Sequence, residues 1–313
     1  MKLEAYAKVN LTLEVLGERS DGYHALRSVV LPVSLSDTLD VEVTADGTIA
    51  SDTGYDDDLC VKAARALKCV ATAPSPSLCG HDGEGAVVTQ KGAVIRVVKR
   101  IPAGGGLGGG SADAAAVLRA LNELWGIGLS REALAEVGAR VGSDVPALVL
   151  GGPVLMEGRG ERVSPLSVSD FRFHLVLANP GVFSSTAAVY ARCRPRAAGG
   201  PSPTDAMVKA LAGGDPAEIA AALANDLQAP ACALHPEIAD AMDALREAGA
   251  VGVLMSGSGS TVFGLARSEG EARRISAAMT GRGLAAWAVR PCCRVADLPQ
   301  FADCKASFSA PFI

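Results

Sequence analysis

The sequence predicts an α+β protein of two domains, and three observations lead there. At 313 residues the chain is longer than one hydrophobic core usually organises. Its first half opens on strand-like alternation and only then turns to helical spacing. Its second half reads as strand, helices, strand, strand, helix, strand, the split βαβ order of a ferredoxin-like layer backed by helices.

The elements follow in order. From Leu3, the residues Ala5, Ala7, Val9, Leu11, Leu13 and Val15 fall on one face, with Lys8, Asn10, Thr12 and Glu14 on the other, so one strand is expected with Lys8 and Asn10 pointing the same way. A turn at SDGYH (20–24) precedes two further strand-like runs, SVVLPVSL (28–35) and TLDVEVTA (38–45). A short helix is expected around LCVKAARAL (59–67), then the strand AVIRVVKR (93–100). Helices follow over 111–125 and 130–140, the second with Ser130 as N-cap. The polar stretch GRGERVSPLSVSD marks the domain boundary between about 155 and 170, dividing the chain as 1–160 and 161–313. Beyond it come the strand FRFHLVLA (171–178), several helices, strands at 251–255 and 261–266, a helix at 269–280 and a strand at 284–290. The Pro-, Gly- and Ser-rich stretches at 71–85 and 194–204 read as loops.

Composition excludes several classes. With 20% charged residues and a formal net charge of -5, no basic surface is available to hold nucleic acid or an anionic membrane by bulk charge. Any phosphate must be held locally. MKLEAYAKVNLTLEV lacks the apolar core of a secretion signal, and no apolar run approaches the roughly eighteen residues of a membrane span. A cytoplasmic protein, monomer or homodimer, is expected. The eight cysteines show no CxxC pair and no zinc spacing, so no metal site is expected, and Cys292–Cys293 reads as a strand-end pair of thiols.

IPAGGGLGGGSADAAAVLRALNEL (101–124) places six glycines in seven positions at the mouth of a helix whose Ala114, Val117, Leu118, Leu121 and Trp125 form one apolar stripe. The first turn of a helix has free N–H groups and a partial positive charge, and glycines let phosphate approach without side-chain collisions. A Walker loop is excluded, because Gly110-Ser111-Ala112 lacks its lysine. Gly104, Gly106 and Gly109 satisfy GxGxxG, but Pro102 breaks the junction with the strand, and Glu132, at the distance of the ribose-binding acid, falls at a helix start. A flexible linker would not be bracketed so closely by a patterned strand and helix.

PAGGGLGGGSADAA resembles the phosphate-binding motif of the GHMP kinase superfamily, and AYAKVNLTLEV, RSDGYHAL, GSDVPALV (142–149) and MSGSGSTVFGL (255–265) fall in that family's order over most of the chain. The resemblance implies an active site in the cleft between an N-terminal domain like ribosomal protein S5 domain 2 and a ferredoxin-like C-terminal domain. It further implies ATP, with Mg2+ as its complex, and transfer of the γ-phosphate to the tertiary 2-hydroxyl of 4-diphosphocytidyl-2-C-methyl-D-erythritol, a step of the non-mevalonate route to isoprenoids. Pro102, Ala103, Gly104, Gly105, Gly106, Leu107, Gly108, Gly109, Gly110, Ser111 and Ala112 would form the ATP loop.

Each remaining candidate has a plainer reading beside it. Asp144, in Gly-Ser-Asp-Val-Pro, is by pattern a helix cap; by resemblance it accepts the proton of the acceptor hydroxyl. Lys8 is by pattern a solvated strand lysine; by resemblance it lies in the cleft, orients the hydroxyl and offsets charge on the migrating phosphoryl group. Asn10 would hydrogen-bond the substrate. Tyr23 and His24 follow a turn, and by resemblance Tyr23 stacks on cytosine while His24 bonds its edge. Tyr190, four residues after Thr186, is either core packing or the second ring of that sandwich, with Thr186 touching the substrate. SGSGS (256–260) is either a hairpin turn or a loop lying against the glycines. Asp58-Leu59 departs from the family's frequent Asn-Leu beside adenine, and Ser111 is a candidate magnesium ligand. Competing readings are a GHMP kinase acting on homoserine, mevalonate or a sugar, and a nucleotide-binding protein without turnover. SDGYH with Tyr190 favours a cytidine-bearing acceptor, and a pure binder needs neither Lys8 nor Asp144.

Overall fold

The predicted first strand is broken at Leu11 into β1 (Lys2–Asn10) and β2 (Thr12–Glu18), both antiparallel to β3 (His24–Thr44). The computed structural model of the chain describes residues 1–20, 22, 24–72, 90–168, 170–196 and 200–292. The runs expected as two strands, 28–35 and 38–45, form the single 21-residue β3. Pro32 does not interrupt it because the pairing with β1 shifts register there, between Tyr6 and Lys8, where a missing N–H is tolerated. Along the edge of β3 opposite β1 and β2, β5 (Gly92–Val98), with β4 (Ile49–Ser51) beyond it, pairs with one end of β3, and the hairpin of β6 (Val154–Gly158) and β7 (Arg162–Pro165) pairs with the other.

Helices α1 (Leu59–Thr72), α2 (Gly109–Leu124), α3 (Arg131–Gly138) and α4 (Val145–Leu150) cover this sheet. The α2 stripe is buried as its spacing requires, from Ala114 to Trp125, each leucine contributing roughly 1.5–3 kcal/mol. The Ser130 hydroxyl accepts the Ala133 N–H at 3.2 Å, the expected cap of α3. The division drawn at residue 160 cuts the β6–β7 hairpin: the polar GRG stretch is a turn of the first sheet, which continues to Pro165.

The second half supplies β8 (His174–Asn179), α5 (Thr186–Tyr190), α6 (Pro203–Gly213), α7 (Pro216–Ala221), β9 (Ala224–Asn225), α8 (Gln228–Leu234), α9 (Pro236–Glu247), β10 (Val253–Met255), β11 (Val262–Ala266), α10 (Glu269–Gly281) and β12 (Ala285–Val289). Its antiparallel sheet has the order β10-β11-β8-β12, the ferredoxin-like arrangement that the sequence predicts. The 194–204 loop ends sooner than expected, at α6, which Ser202 caps through the Asp205 N–H. Most of the 71–85 loop, Tyr23 and Cys293 lie outside the described residues. Cys60, Cys193 and Cys232 are free thiols. Among the described residues no helix is long and apolar enough to cross a membrane.

The two halves are interlocked. Val9 and Leu11 pack in the core of the first sheet, whereas Leu13 and Val15 pack with Val176 and Leu227 of the second half. β9 pairs in parallel with β2. Ser202, Thr204 and Ser256 of the second half meet the polar face of the first strands.

Candidate active site

That polar face is buried, which alternation alone does not predict. Lys8, Asn10, Thr12 and Glu14 are each at most 3% exposed. Burying a polar group is costly unless it is hydrogen-bonded, and every one of these is. The Asn10 Nδ2 donates to Ser28 Oγ at 2.8 Å. Thr12 Oγ1 lies 3.0 Å from Thr204 Oγ1, and Glu14 Oε2 accepts from Ser202 Oγ at 2.9 Å.

Lys8 stands at the centre. Its ammonium donates to Asn10 Oδ1 at 2.7 Å and to the Gly106 carbonyl at 3.0 Å, and lies 3.2 Å from Asp144 Oδ2. Three partners occupy all three of its donors. Lys8 is therefore no solvated strand lysine. Asp144 occupies the N-cap position of α4 but makes no side-chain cap bond, with Pro146 just inside the helix. Its carboxylate turns to Lys8 instead, and a quarter of it stays open to the cleft.

The glycine loop connects β5 to α2 and runs directly over this pair. Gly104, Gly106 and Gly108 have φ of 65°, 74° and 69°, backbone that L side chains resist. A Cβ on Gly108 would come 3.0 Å from Lys8 Cε and 3.6 Å from Asp144 Oδ2. The loop carbonyls are committed inward: Gly105 O accepts from Thr261 N, Gly106 O from Ser256 Oγ, Leu107 O from Lys8 N and Gly108 O from Ala112 N. In a trans peptide the next N–H points the opposite way, so the amides of Gly106, Leu107, Gly108 and Gly109 face away from those donors. Gly108, the N-cap of α2, has no side chain with which to cap the helix, which leaves its first turn for an anion.

The SGSGS loop does lie against the glycines, and a Cβ on Gly106 would come 2.1 Å from the Ser256 carbonyl. Together these elements line a cleft of about 820 Å³. Of the predicted residues, the cleft gathers Lys8, Asn10, His24, Gly104, Gly106, Gly108, Ser111, Asp144, Thr186 and Tyr190. The others in the loop serve as its underside: Leu107 and Ala112 are buried in the core, Gly105 faces Thr261, and Gly109 faces Ile101 and Lys99. Gly110 packs beside Leu59, and Pro102 and Ala103 lead into the loop.

At the far end of the cleft the His24 and Tyr190 rings are 5.0 Å apart and tilted by 39°. Burial, and secondarily Asp144, pushes the Tyr190 phenol above its ordinary value, so it stays neutral. Thr186 Oγ1 lies 2.8 Å from Ser258 Oγ. Asp58 serves as the cap of α1, accepting from Cys60 N at 2.7 Å and from Thr53 Oγ1 at 2.7 Å. Burial would raise its carboxyl, but these hydrogen bonds prevail and hold it below the usual range.

Residues 59–152 match the family described as GHMP kinases N terminal domain, and 207–284 match GHMP kinases C terminal. The chain belongs to the GHMP kinase family. It is 41% identical to a 4-diphosphocytidyl-2-C-methyl-D-erythritol kinase of Symbiobacterium thermophilum, over 93% of this chain and 99% of that protein. It is 42% identical to a protein of the same name from Pelotomaculum thermopropionicum, over 87% and 91%. A crystal structure of 4-(cytidine 5'-diphospho)-2C-methyl-D-erythritol kinase superposes with a TM-score of 0.75 at 37% identity, covering 93% of this chain and 99% of that one. A homoserine kinase from Cytophaga hutchinsonii shares the fold, with a TM-score of 0.69 at 20% identity, covering 93% and 94%.

Three features of this GHMP kinase escape sequence reading. Arg159, in the β6–β7 turn, lines the cleft, although its surroundings look like a domain linker. Phe183 is 74% exposed, and a Cβ on Gly104 would meet its ring at 2.8 Å. Beneath the loop, Lys99 Nζ bridges Asp37 Oδ2 at 2.5 Å and Asp113 Oδ2 at 2.6 Å. Asp37 Oδ1 also accepts the N–H groups of Arg100 and Ile101. This cluster pins the strand-to-loop junction, and its members lie too far apart in sequence for any local pattern to join them.

Proposed function

We propose that this GHMP kinase transfers the γ-phosphate of ATP to the 2-hydroxyl of 4-diphosphocytidyl-2-C-methyl-D-erythritol, in the cytoplasm, as a step of isoprenoid precursor synthesis. The observation that carries the reading is the Lys8–Asp144 pair, 3.2 Å apart, directly under a glycine loop with outward amides. A nucleotide-binding protein without turnover has no use for that pair.

In this reading Asp144 accepts the proton of the acceptor hydroxyl as the phosphoryl group arrives. Lys8 orients the hydroxyl through the Asp144 carboxylate that it holds in place, and offsets negative charge in the transition state. Its own position is over-determined by Asn10 and the Gly106 carbonyl. Gly104 to Gly110 and the first turn of α2 take the polyphosphate on backbone amides. Among the described residues no group of three His, Cys, Asp or Glu could hold a metal ion, so magnesium would enter with the nucleotide, on phosphate oxygens and water. Tyr190 and His24, with Tyr23, receive the cytosine, a flat group that homoserine, mevalonate or a sugar does not offer.

The test is ATP consumption by the purified protein with each acceptor in turn. Turnover with 4-diphosphocytidyl-2-C-methyl-D-erythritol, and at most trace turnover with mevalonate or homoserine, is expected. Comparable rates with all three overturn the acceptor assignment.

A further inference from the structure

We infer that Arg119 is a positioning residue: it ties α4, whose N-cap is Asp144, to α2, which begins at the glycine loop, and so keeps the base in register with that loop. This rests on the proposed function and adds a residue to it. With six residues, Val145–Leu150, α4 has too few internal hydrogen bonds to hold its own direction. Its neighbours must do so. A Cβ on Gly138 of α3 would come 2.8 Å from Val145 Cγ1, and that close packing fixes the start of α4 sideways.

Along the axis the hold comes from the far end. Arg119 Nη1 donates to the Leu148 carbonyl at 2.8 Å, and Arg131 Nη1 donates to the Leu150 carbonyl at 3.3 Å. The last carbonyls of a helix lack partners within it and carry partial negative charge, so guanidinium donors both satisfy and attract them. Leu148 joins this end to the other. Its N–H donates to the Asp144 carbonyl at 3.3 Å and closes the first turn, while its own carbonyl is held by Arg119. The Asp144 side chain makes no cap bond that would fix it locally, and the Lys8 ammonium opposite is itself held by Asn10 and the Gly106 carbonyl. Sliding α4 along its axis therefore moves the carboxylate against a fixed cation.

The surroundings of Arg119 agree. Burial, and next the charge of Arg131, pulls its guanidinium down to about 10 while Tyr6 opposes, and no carboxylate is among these groups. It stays charged at neutral pH. A half-buried cation without a carboxylate is costly at a place where an apolar side chain would pack, and the contact that offsets this cost is the end of α4. Arg119 also belongs to the helix whose first turn follows the glycines. One rigid element thus carries the loop at its start and steadies the base-bearing helix farther along.

The experiment places Arg119→Met, Arg119→Lys and Arg131→Met in the wild type and in Asp144→Asn, and reads single-turnover rates and the KM for each substrate. Rates are taken per ATP-binding site titrated on the same sample, so unfolded protein does not count. Arg119→Met keeps the stem and loses the donors. It should lower kcat by about 10- to 100-fold, the loss that a misplacement of roughly an ångström brings, and leave both KM values within about twofold. Arg119→Lys should recover part of the rate, and Arg131→Met should lose less. In Asp144→Asn the same changes should each cost less than about twofold, because a base already removed cannot be misplaced further. Equal losses in the two backgrounds, an unchanged kcat, or a loss carried by KM overturns the inference. If Arg119→Met does not fold, Arg119→Lys and Arg131→Met decide by the same comparison. Wild type that turns over no cytidine-bearing acceptor overturns the proposed function itself, an outcome the variants do not share.

Discussion

The Lys8 ammonium and the Asp144 carboxylate meet at 3.2 Å, one from the first strand and the other from the N-terminus of α4. The glycine loop passes so close that a Cβ on Gly108 would press on the Lys8 side chain, 3.0 Å from its Cε. Carboxylate, ammonium and glycine loop are therefore parts of one packing unit, and each can be disturbed separately.

Asp144→Asn keeps the shape of the side chain and removes its capacity to accept a proton. Turnover should fall by about 10²- to 10⁴-fold, the usual loss for a general base, with ATP affinity retained. Single-turnover kinetics beside nucleotide titration checks both halves. A near-normal rate would take Asp144 out of the mechanism.

Gly106→Ala forces a side chain into left-handed backbone, at roughly 1–3 kcal/mol, and drives it into the Ser256 carbonyl at 2.1 Å. The loops should separate, with a lower Tm and weakened ATP binding. Gly126→Ala is the control, because Gly126 has the same φ of 74° with nothing within 4 Å of the new Cβ. It should lose stability alone. Equal ATP affinities in the two variants would mean that the loop contact does not shape the nucleotide site.

Asp113 makes stability depend on pH. Burial is the largest cause pushing its carboxyl up to about 7; Lys99 opposes this and Asp37 adds to it. Cys60 is a further titratable group close by. An unfolded aspartate gives up its proton near about pH 4, so the folded state keeps a proton that the unfolded chain has lost. The contribution to stability is complete below about pH 4, declines as pH rises and is gone above about 7. Asp113→Asn imitates the protonated carboxyl and should flatten that decline. Urea unfolding at about pH 5 and pH 8 reads it, and equal slopes in the two proteins would refute it.

The signals legible in the sequence were local ones. Alternation from Leu3 to Val15 put Lys8 and Asn10 on one face because side chains in a strand alternate regardless of what lies beyond. Glycines before the α2 stripe announced a left-handed loop and an uncapped helix start, because φ and free N–H groups are properties of the residues themselves. Asp144 was ambiguous for the same reason: Gly-Ser-Asp-Val-Pro describes a helix start equally well whether or not the carboxylate caps it. Arg159 was hidden in a stretch whose polarity resembles a linker, since composition does not report which way a turn faces.

By itself, then, the sequence determined the α+β class, the β-α-β-β-α-β order of the second half and the glycine loop ahead of α2, each written in spacings of a few residues. Only the tertiary structure decided that the polar face of the first strands is buried, that Asp144 turns to Lys8, and that Asp37, Lys99 and Asp113 brace the loop from below. These outcomes depend on which surfaces cover one another when β2 crosses between the two cores. Desolvation acts on such surfaces only once distant segments have met.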